Sequence, residues 1–229
     1  LLRCIRFRDM RYRPVARDWA RWRLLSGVAM SALVASLEAQ QLDWFVHDTP
    51  STNLLRSVCR APSRFLAVGD DSTVLTSPDG AVWELQEVSM GRHWLQTVTH
   101  GTNGYVAAGL AGVLLTSTNG IDWTEQNSGT GFYLRGAAFG GGRYVVVGDG
   151  GTILTSPTGQ VWTRQESGVE VQLEAVASNG EFFVAVGDQG TVLRSNSGGT
   201  GWAMADAPTA AWMHGVTFAN GKFVAVGDS

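Results

Sequence analysis

Between Leu134 and Gln165 the chain alternates short apolar stretches with glycine-rich turns, and the same pattern recurs along most of its length. Four short strands are predicted in this unit. Leu134 to Phe139 is strand A, followed by a turn of three glycines, Gly140 to Gly142. Tyr144 to Gly148 is strand B, whose unbroken valine run suits a strand buried on both faces. Asp149, Gly150 and Gly151 form a tight hairpin, because Asp and Gly accept the positive φ that such turns need. Thr152 to Ser156 is strand C, Pro157 to Gly159 a second turn, and Val161 to Gln165 strand D. β-Branched residues and glycines dominate, and no window carries the i, i+3, i+4 apolar pattern of a helix.

Four anchors repeat in step. Tryptophan recurs at Trp44, Trp83, Trp123, Trp162 and Trp202, at spacings of 39, 40, 39 and 40. A glycine closes strand B at Gly69, Gly109, Gly148, Gly187 and Gly227, and an apolar residue opens strand A at Leu55, Leu95, Leu134, Leu173 and Met213. The fourth anchor is the C–D turn, SPDGAVW from Ser77, STNGIDW from Ser117, SPTGQVW from Ser156 and the looser SNSGGTGW from Ser195. Four antiparallel strands in a unit of this length predict an all-β fold, a β-propeller of four-stranded blades. The propeller part is read as residues 40–229. It holds a strand D around Trp44, four full blades (54–88, 94–127, 133–167 and 172–205), and strands A and B of a fifth, from Trp212 to Asp228. On this reading the chain is cut short at Ser229, and a terminal blade shows its valine-rich face to solvent.

Residues 1–39 differ from the rest. Eight of the seventeen basic residues lie at or before Arg23, and an uncharged run, Leu24 to Leu37, leads to small residues near Ala39. A basic region, a short apolar run and a small residue describe a secretory signal peptide, with Met10 as its start and residues 1–9 as upstream read-through. The run is too short to span a bilayer, which takes roughly 20 apolar residues, so no stable membrane span is expected after cleavage. The alternative reading is an amphipathic anchor helix. From residue 40 onward nine basic residues face seventeen acidic ones, a formal net charge of −8. That balance argues against nucleic acid or an anionic membrane as partner. Cys59 is the one cysteine of this part and aligns with Thr99, Ala138, Ala177 and Thr217, a small core position rather than a nucleophile.

The C–D turns resemble the BNR or Asp-box family, whose motif reads S-x-D-x-G-x-T-W. Ser77, Asp79, Gly80 and Trp83 match a version one residue shorter, and the Asp place holds Asn119, Thr158 and Ser197 in later copies. In that family the box is a structural turn on the outer edge of the blade. The resemblance therefore assigns Ser77, Asp79, Gly80, Trp83, Ser117, Asn119, Gly120, Trp123, Ser156, Gly159, Trp162 and Trp202 to the scaffold. Their chemistry agrees: short polar side chains bond nearby backbone N–H groups, glycine takes the left-handed position, and tryptophan packs between sheets. The short blades look especially like secreted propellers related to photosystem II assembly and stability factors, which implies a binding scaffold. The family also includes sialidases. Arg56 and Arg135 share a repeat position, with Tyr133 and Glu174 close by in the repeat frame, but nothing fixes them as a catalytic set.

Positions that differ between copies are free to serve function. The residue after each opening anchor is Arg56, Gln96, Arg135, Glu174 or His214, and the residue before it includes Trp94, Tyr133 and Trp212. All flank the start of the innermost strand, at the channel rim. Aromatic rings beside mixed polar groups suit a protein or glycan ligand, where a ring stacks and a charge orients. The aspartates of the B–C turns, Asp70, Asp149, Asp188 and Asp228, are read as turn formers. The four histidines show no metal-ligand spacing, there is no helix N-terminus for a phosphate, and no calcium-loop motif occurs, so neither metal nor cofactor is expected. The expected role is an exported, bacterial-style binding or assembly scaffold without catalysis. Its rivals are a sialidase-like glycoside hydrolase and a structural repeat array of a larger exported protein.

Overall fold

The computed structural model describes residues 4–6, 45–88, 91–207 and 209–228. Trp44 and nearly all of the expected signal peptide lie outside the described residues. Cys4–Arg6 (β1) pairs antiparallel with Phe45–His47 (β2).

The remaining strands fall into five consecutive antiparallel meanders. The first sheet holds Leu55–Arg60 (β3), Phe65–Gly69 (β4), Val74–Ser77 (β5) and Glu84–Gln86 (β6). The second holds Leu95–Gly101 (β7), Gly104–Gly109 (β8), Leu114–Ser117 (β9) and Thr124–Glu125 (β10). The third holds Leu134–Gly140 (β11), Arg143–Gly148 (β12), Thr152–Ser156 (β13) and Thr163–Gln165 (β14). The fourth holds Leu173–Ser178 (β15), Phe183–Gly187 (β16), Val192–Arg194 (β17) and Ala203–Met204 (β18). The fifth has two strands, Met213–Ala219 (β19) and Lys222–Gly227 (β20). Among the described residues no ladder runs from one sheet into the next.

Strand D of the third sheet starts at Thr163 rather than Val161. Trp162 belongs to the preceding turn instead, its indole Nε1–H donating to the Gly159 carbonyl at 2.7 Å.

The sheets stack face to face, with strand A of each sheet against strand A of the next. The approach is close at this inner edge: a Cβ on Gly136 of β11 would lie 2.9 Å from the Cα of Ala175 in β15. The D strands at the outer edge are largely exposed. The core lies between sheets, and strand B of the middle sheets is buried on both faces, as its valines require.

The recurrent glycine that closes strand B has a steric cause. Its backbone is extended, but a Cβ there would fall 1.8–2.1 Å from the carbonyl oxygen of the residue preceding strand A. The next N–H donates to that same carbonyl, as Asp149 N does to Tyr133 O at 2.9 Å. Two left-handed residues then complete each described B–C turn, such as Gly150 and Gly151 at φ 60° and 61°. This is the twist that a two-residue hairpin needs.

Candidate functional site

All five strands A share one irregularity. The opening residue pairs with the closing glycine of strand B, and the register then shifts by one. The extra residues are Arg56, Gln96, Arg135, Glu174 and His214. A bulge of this kind re-aims the side chain it displaces, and here it turns each one toward the B–C turn of its own sheet or toward a neighbouring sheet.

Three of the five meet an aspartate fourteen residues on. Arg56 holds Asp70 at two points, Nε to Oδ1 2.5 Å and Nη2 to Oδ2 3.1 Å. That bond pushes the Arg56 guanidinium further up, against the opposing effect of burial. Arg135 Nε lies 2.5 Å from Asp149 Oδ1, and His214 Nε2 lies 2.9 Å from Asp228 Oδ1. The other two reach across sheet boundaries. Glu174 accepts from Arg135 Nη1 at 3.4 Å and from the side-chain amide of Gln172, while Gln96 accepts from the Tyr133 hydroxyl at 2.6 Å.

The aromatics complete the row. The Arg135 guanidinium sits 4.5 Å from the Tyr133 ring centroid, that of Arg56 lies 6.0 Å from the Trp94 ring, and the Trp212 and His214 rings are 5.1 Å apart. Burial raises the Tyr133 phenol, and the positive charges of Arg56 and Arg135 oppose the rise. Trp94 and Trp212 stay 49% and 37% exposed, so each keeps ring surface open, Trp94 beside the Arg56 guanidinium and Trp212 beside the His214 ring.

The contacts join Gln96, Tyr133, Arg135 and Glu174 into one row, Arg56 with Trp94, and Trp212 with His214. Sequence reasoning misses the part played by Asp70, Asp149 and Asp228, which it assigns to turns alone. Asp70 and Asp149 do open turns, but each is also the counterion of an arginine, and Asp228 bonds the His214 ring. An aspartate stands fourteen residues after Arg56, Arg135 and His214, but one also follows Glu174, as Asp188, so this spacing does not mark the pairs by itself. Where that position holds Gln96, the partner place holds Leu110.

Several solved structures are similar to the chain in fold. YCF48 bound to a D1 peptide is 18% identical, with 75% of this chain and 59% of that one covered at a TM-score of 0.60. YCF48 from Cyanidioschyzon merolae is 16% identical, covering 81% and 69% at 0.60. Virginiamycin B lyase from Staphylococcus aureus is 12% identical, covering 81% and 67% at 0.71. The fold is a β-propeller. The propeller spans about three fifths of the length of the peptide-bound YCF48 chain that it matches. No family model and no curated protein matches its sequence.

In a propeller the A strands surround the central channel, so the bulged side chains stand at one mouth of it. The C–D turns lie at the opposite end of the blades. There Ser77, Ser117 and Ser156 accept the N–H of Gly80, Gly120 and Gly159, each at 2.8 Å. Asp79 and Asn119 each accept two further backbone N–H groups. Trp83 and Trp202 donate to Gly80 and Gly199, whereas the Trp123 indole N–H is buried without a partner. An open hollow of about 700 Å³ lies at this end between the second and third blades, lined by Thr116, Ser117, Asp122, Gln126, Thr158 and Gln160.

The rim carries the arginines Arg56 and Arg135, each engaged by the aspartate of its own turn. A sialidase-type centre would need three arginines turned toward one substrate carboxylate. Among the described residues no group of three or more His, Cys, Asp or Glu is placed to hold a metal ion. No helix among them is long and apolar enough to cross a membrane.

Proposed function

We propose that this propeller is an exported binding scaffold whose channel rim holds a segment of a protein partner. One observation carries the reading. Five side chains of four kinds, one from each blade, all sit on bulges at one mouth, interleaved with the half-exposed rings of Trp94 and Trp212. Rings with open faces beside fixed, paired charges suit an extended peptide, whose side chains stack while its backbone and charges are oriented. YCF48, similar in fold, has been solved with a peptide bound. Export rests on the basic N-terminal stretch followed by the uncharged run 24–37.

The test is a peptide library panned against the protein, with a glycan array run beside it. Bound peptides should weaken at least about tenfold on Trp94→Ala or Trp212→Ala, the loss expected when a stacked aromatic anchor is removed. Val161→Ala, on the outer edge, should leave binding unchanged. Peptides that ignore both tryptophans would refute the rim as the site, and selective glycan capture would replace the partner class.

A further inference from the structure

The charges of the blades gather at one end. B–C turns and D–A loops share the rim end, since Ser72 N donates to His93 O at 2.8 Å and Gly151 N to Val171 O at 2.7 Å. The turns there hold Asp70, Asp71, Asp149 and Asp188, with Asp228 after the last closing glycine. The D–A loops add Glu87, Glu166, Glu170 and Asp206, and a bulge adds Glu174. Among the described residues of this end, Arg56, Arg92 and Arg135 are the three cations that face these ten carboxylates. The opposite end is balanced: Arg60, Arg64, Arg143, Arg194 and Lys222 stand in or beside its turns with Asp79, Glu84, Asp122 and Glu181. Charge kept for solubility alone has no need to collect on one face.

The rim end also holds more acid than its own structure uses. Asp70, Asp149 and Glu174 are held by arginines, and Asp228 by His214. The other six make no ion pair among the described residues. Four of them, Glu166, Glu170, Asp188 and Asp206, belong to the third and fourth blades and the loops that leave them. Asp188 shows the change: where Asp70 and Asp149 meet an arginine from their own bulge, the fourth bulge carries Glu174, and Asp188 accepts the Gln189 N–H at 2.7 Å. No three carboxylates are placed to hold a metal ion among the described residues, so the cations they suit are spread along a chain.

The second blade is the reverse. Its bulge residue Gln96, its turn at Leu110 and Ala111, and the loop 126–132 carry no charge. Leu110 is 42% exposed, with its N–H on the Trp94 carbonyl at 3.0 Å, and Phe132 is 48% exposed. An uncharged, partly apolar stretch of rim thus adjoins an acidic one.

We infer that the segment held at the rim is basic, with an apolar side chain beside Trp94 and Leu110 and lysines or arginines over the carboxylates of the third and fourth blades. This rests on the rim being the binding site, and it names the partner's chemistry. Complementary charge of this kind speeds encounter, fixes the direction in which the segment lies and turns away acidic segments.

Fluorescence anisotropy with three labelled peptides of equal length tests this on the 229-residue protein. One carries a leucine followed by a run of lysines, and its twins carry glutamates or glutamines in place of the lysines. The lysine peptide should bind at least about tenfold more tightly than the glutamate twin and weaken as salt is raised. Glu166→Gln, Glu170→Gln and Asp188→Asn together should weaken it at least about fivefold, while Glu181→Gln at the opposite end changes nothing. Circular dichroism checks that the variants stay folded, and Glu166→Lys with Glu170→Lys should shift preference toward the glutamate twin. Equal binding of the twins, indifference to salt, or no response to the neutralised acids overturns the inference. Failure of the rim itself reads differently: binding of every peptide then survives Trp94→Ala and Trp212→Ala, and both readings fall. Library peptides that depend on the two tryptophans yet carry acidic or uncharged side chains overturn the basic partner alone.

Discussion

Arg135 and Glu174 meet across a blade boundary, Nη1 to Oε1 3.4 Å, while Arg135 Nε stays 2.5 Å from Asp149 of its own blade. One cation therefore ties two carboxylates and two blades at the rim. Arg135→Ala leaves both acids partly buried without their counterion. A loss of about 1–2 kcal/mol is expected in urea unfolding, since partly exposed pairs are worth less than buried ones. Arg135→Lys should fall between, because an ammonium cannot hold two fixed directions as a planar guanidinium does. Added salt should narrow the gap between wild type and Ala variant.

Two glycines of the third blade should respond to alanine for different reasons. Gly148 has an ordinary extended backbone, but a Cβ there would lie 2.1 Å from the Tyr133 carbonyl oxygen. Gly148→Ala must push strands A and B apart and should cost about 2–3 kcal/mol. Gly168 has φ +73°, and a Cβ added there would meet nothing within 4 Å. Gly168→Ala should cost only about 1 kcal/mol, the strain of a left-handed alanine. Equal losses in thermal or urea unfolding would contradict the steric account of the recurrent glycine.

Trp162 and Trp123 occupy the same place in adjacent blades, but only Trp162 has its N–H satisfied, by Gly159 O at 2.7 Å. Trp162→Phe should therefore lose about 1 kcal/mol beyond any packing change, the net worth of one hydrogen bond. Trp123→Phe removes a buried donor that lacks a partner, so its effect should be near zero or stabilising. The comparison is best made by urea denaturation of the two single variants side by side.

The blade period is legible because each blade buries the same positions against its neighbours, so tryptophan, glycine and valine recur together. The bulge is also written in the chain, though less openly. Leu55 and Val58, Leu95 and Val98, Leu173 and Val176, and Met213 and Val216 are apolar at a spacing of three. In a regular strand such residues point to opposite faces. One extra residue between them returns both to the same side, as the clusters around Leu95 and Val98 or Leu173 and Val176 show. The counterions are hidden for another reason. Turn chemistry already accounts for an aspartate before two left-handed residues, and only the register of strand B against strand A reveals that Asp70 lies beside Arg56. In the third blade the sequence makes strand D two residues too long, because Val161 and Trp162 look like strand residues. The indole bond to Gly159 holds them in the turn.

Cys59 lies in strand A of the first blade, half-buried and free, and burial pushes its thiol up to about 12. The thiolate is the reactive form. In a Cys4→Ser background, disulfide reagents at mildly alkaline pH should therefore modify the native protein far more slowly than the urea-unfolded one. The same shift sets a pH dependence. Above the ordinary thiol value of 9.0 the unfolded chain releases this proton, while the native chain keeps it to about 12. The unfolded state then binds fewer protons, so stability falls as pH rises through that window. Cys59→Ala removes the thiol, and its urea midpoint should decline less steeply over the same range than that of the parent. Parallel declines, or fast labelling of the native protein, would show that the thiol is open to solvent rather than held in the blade.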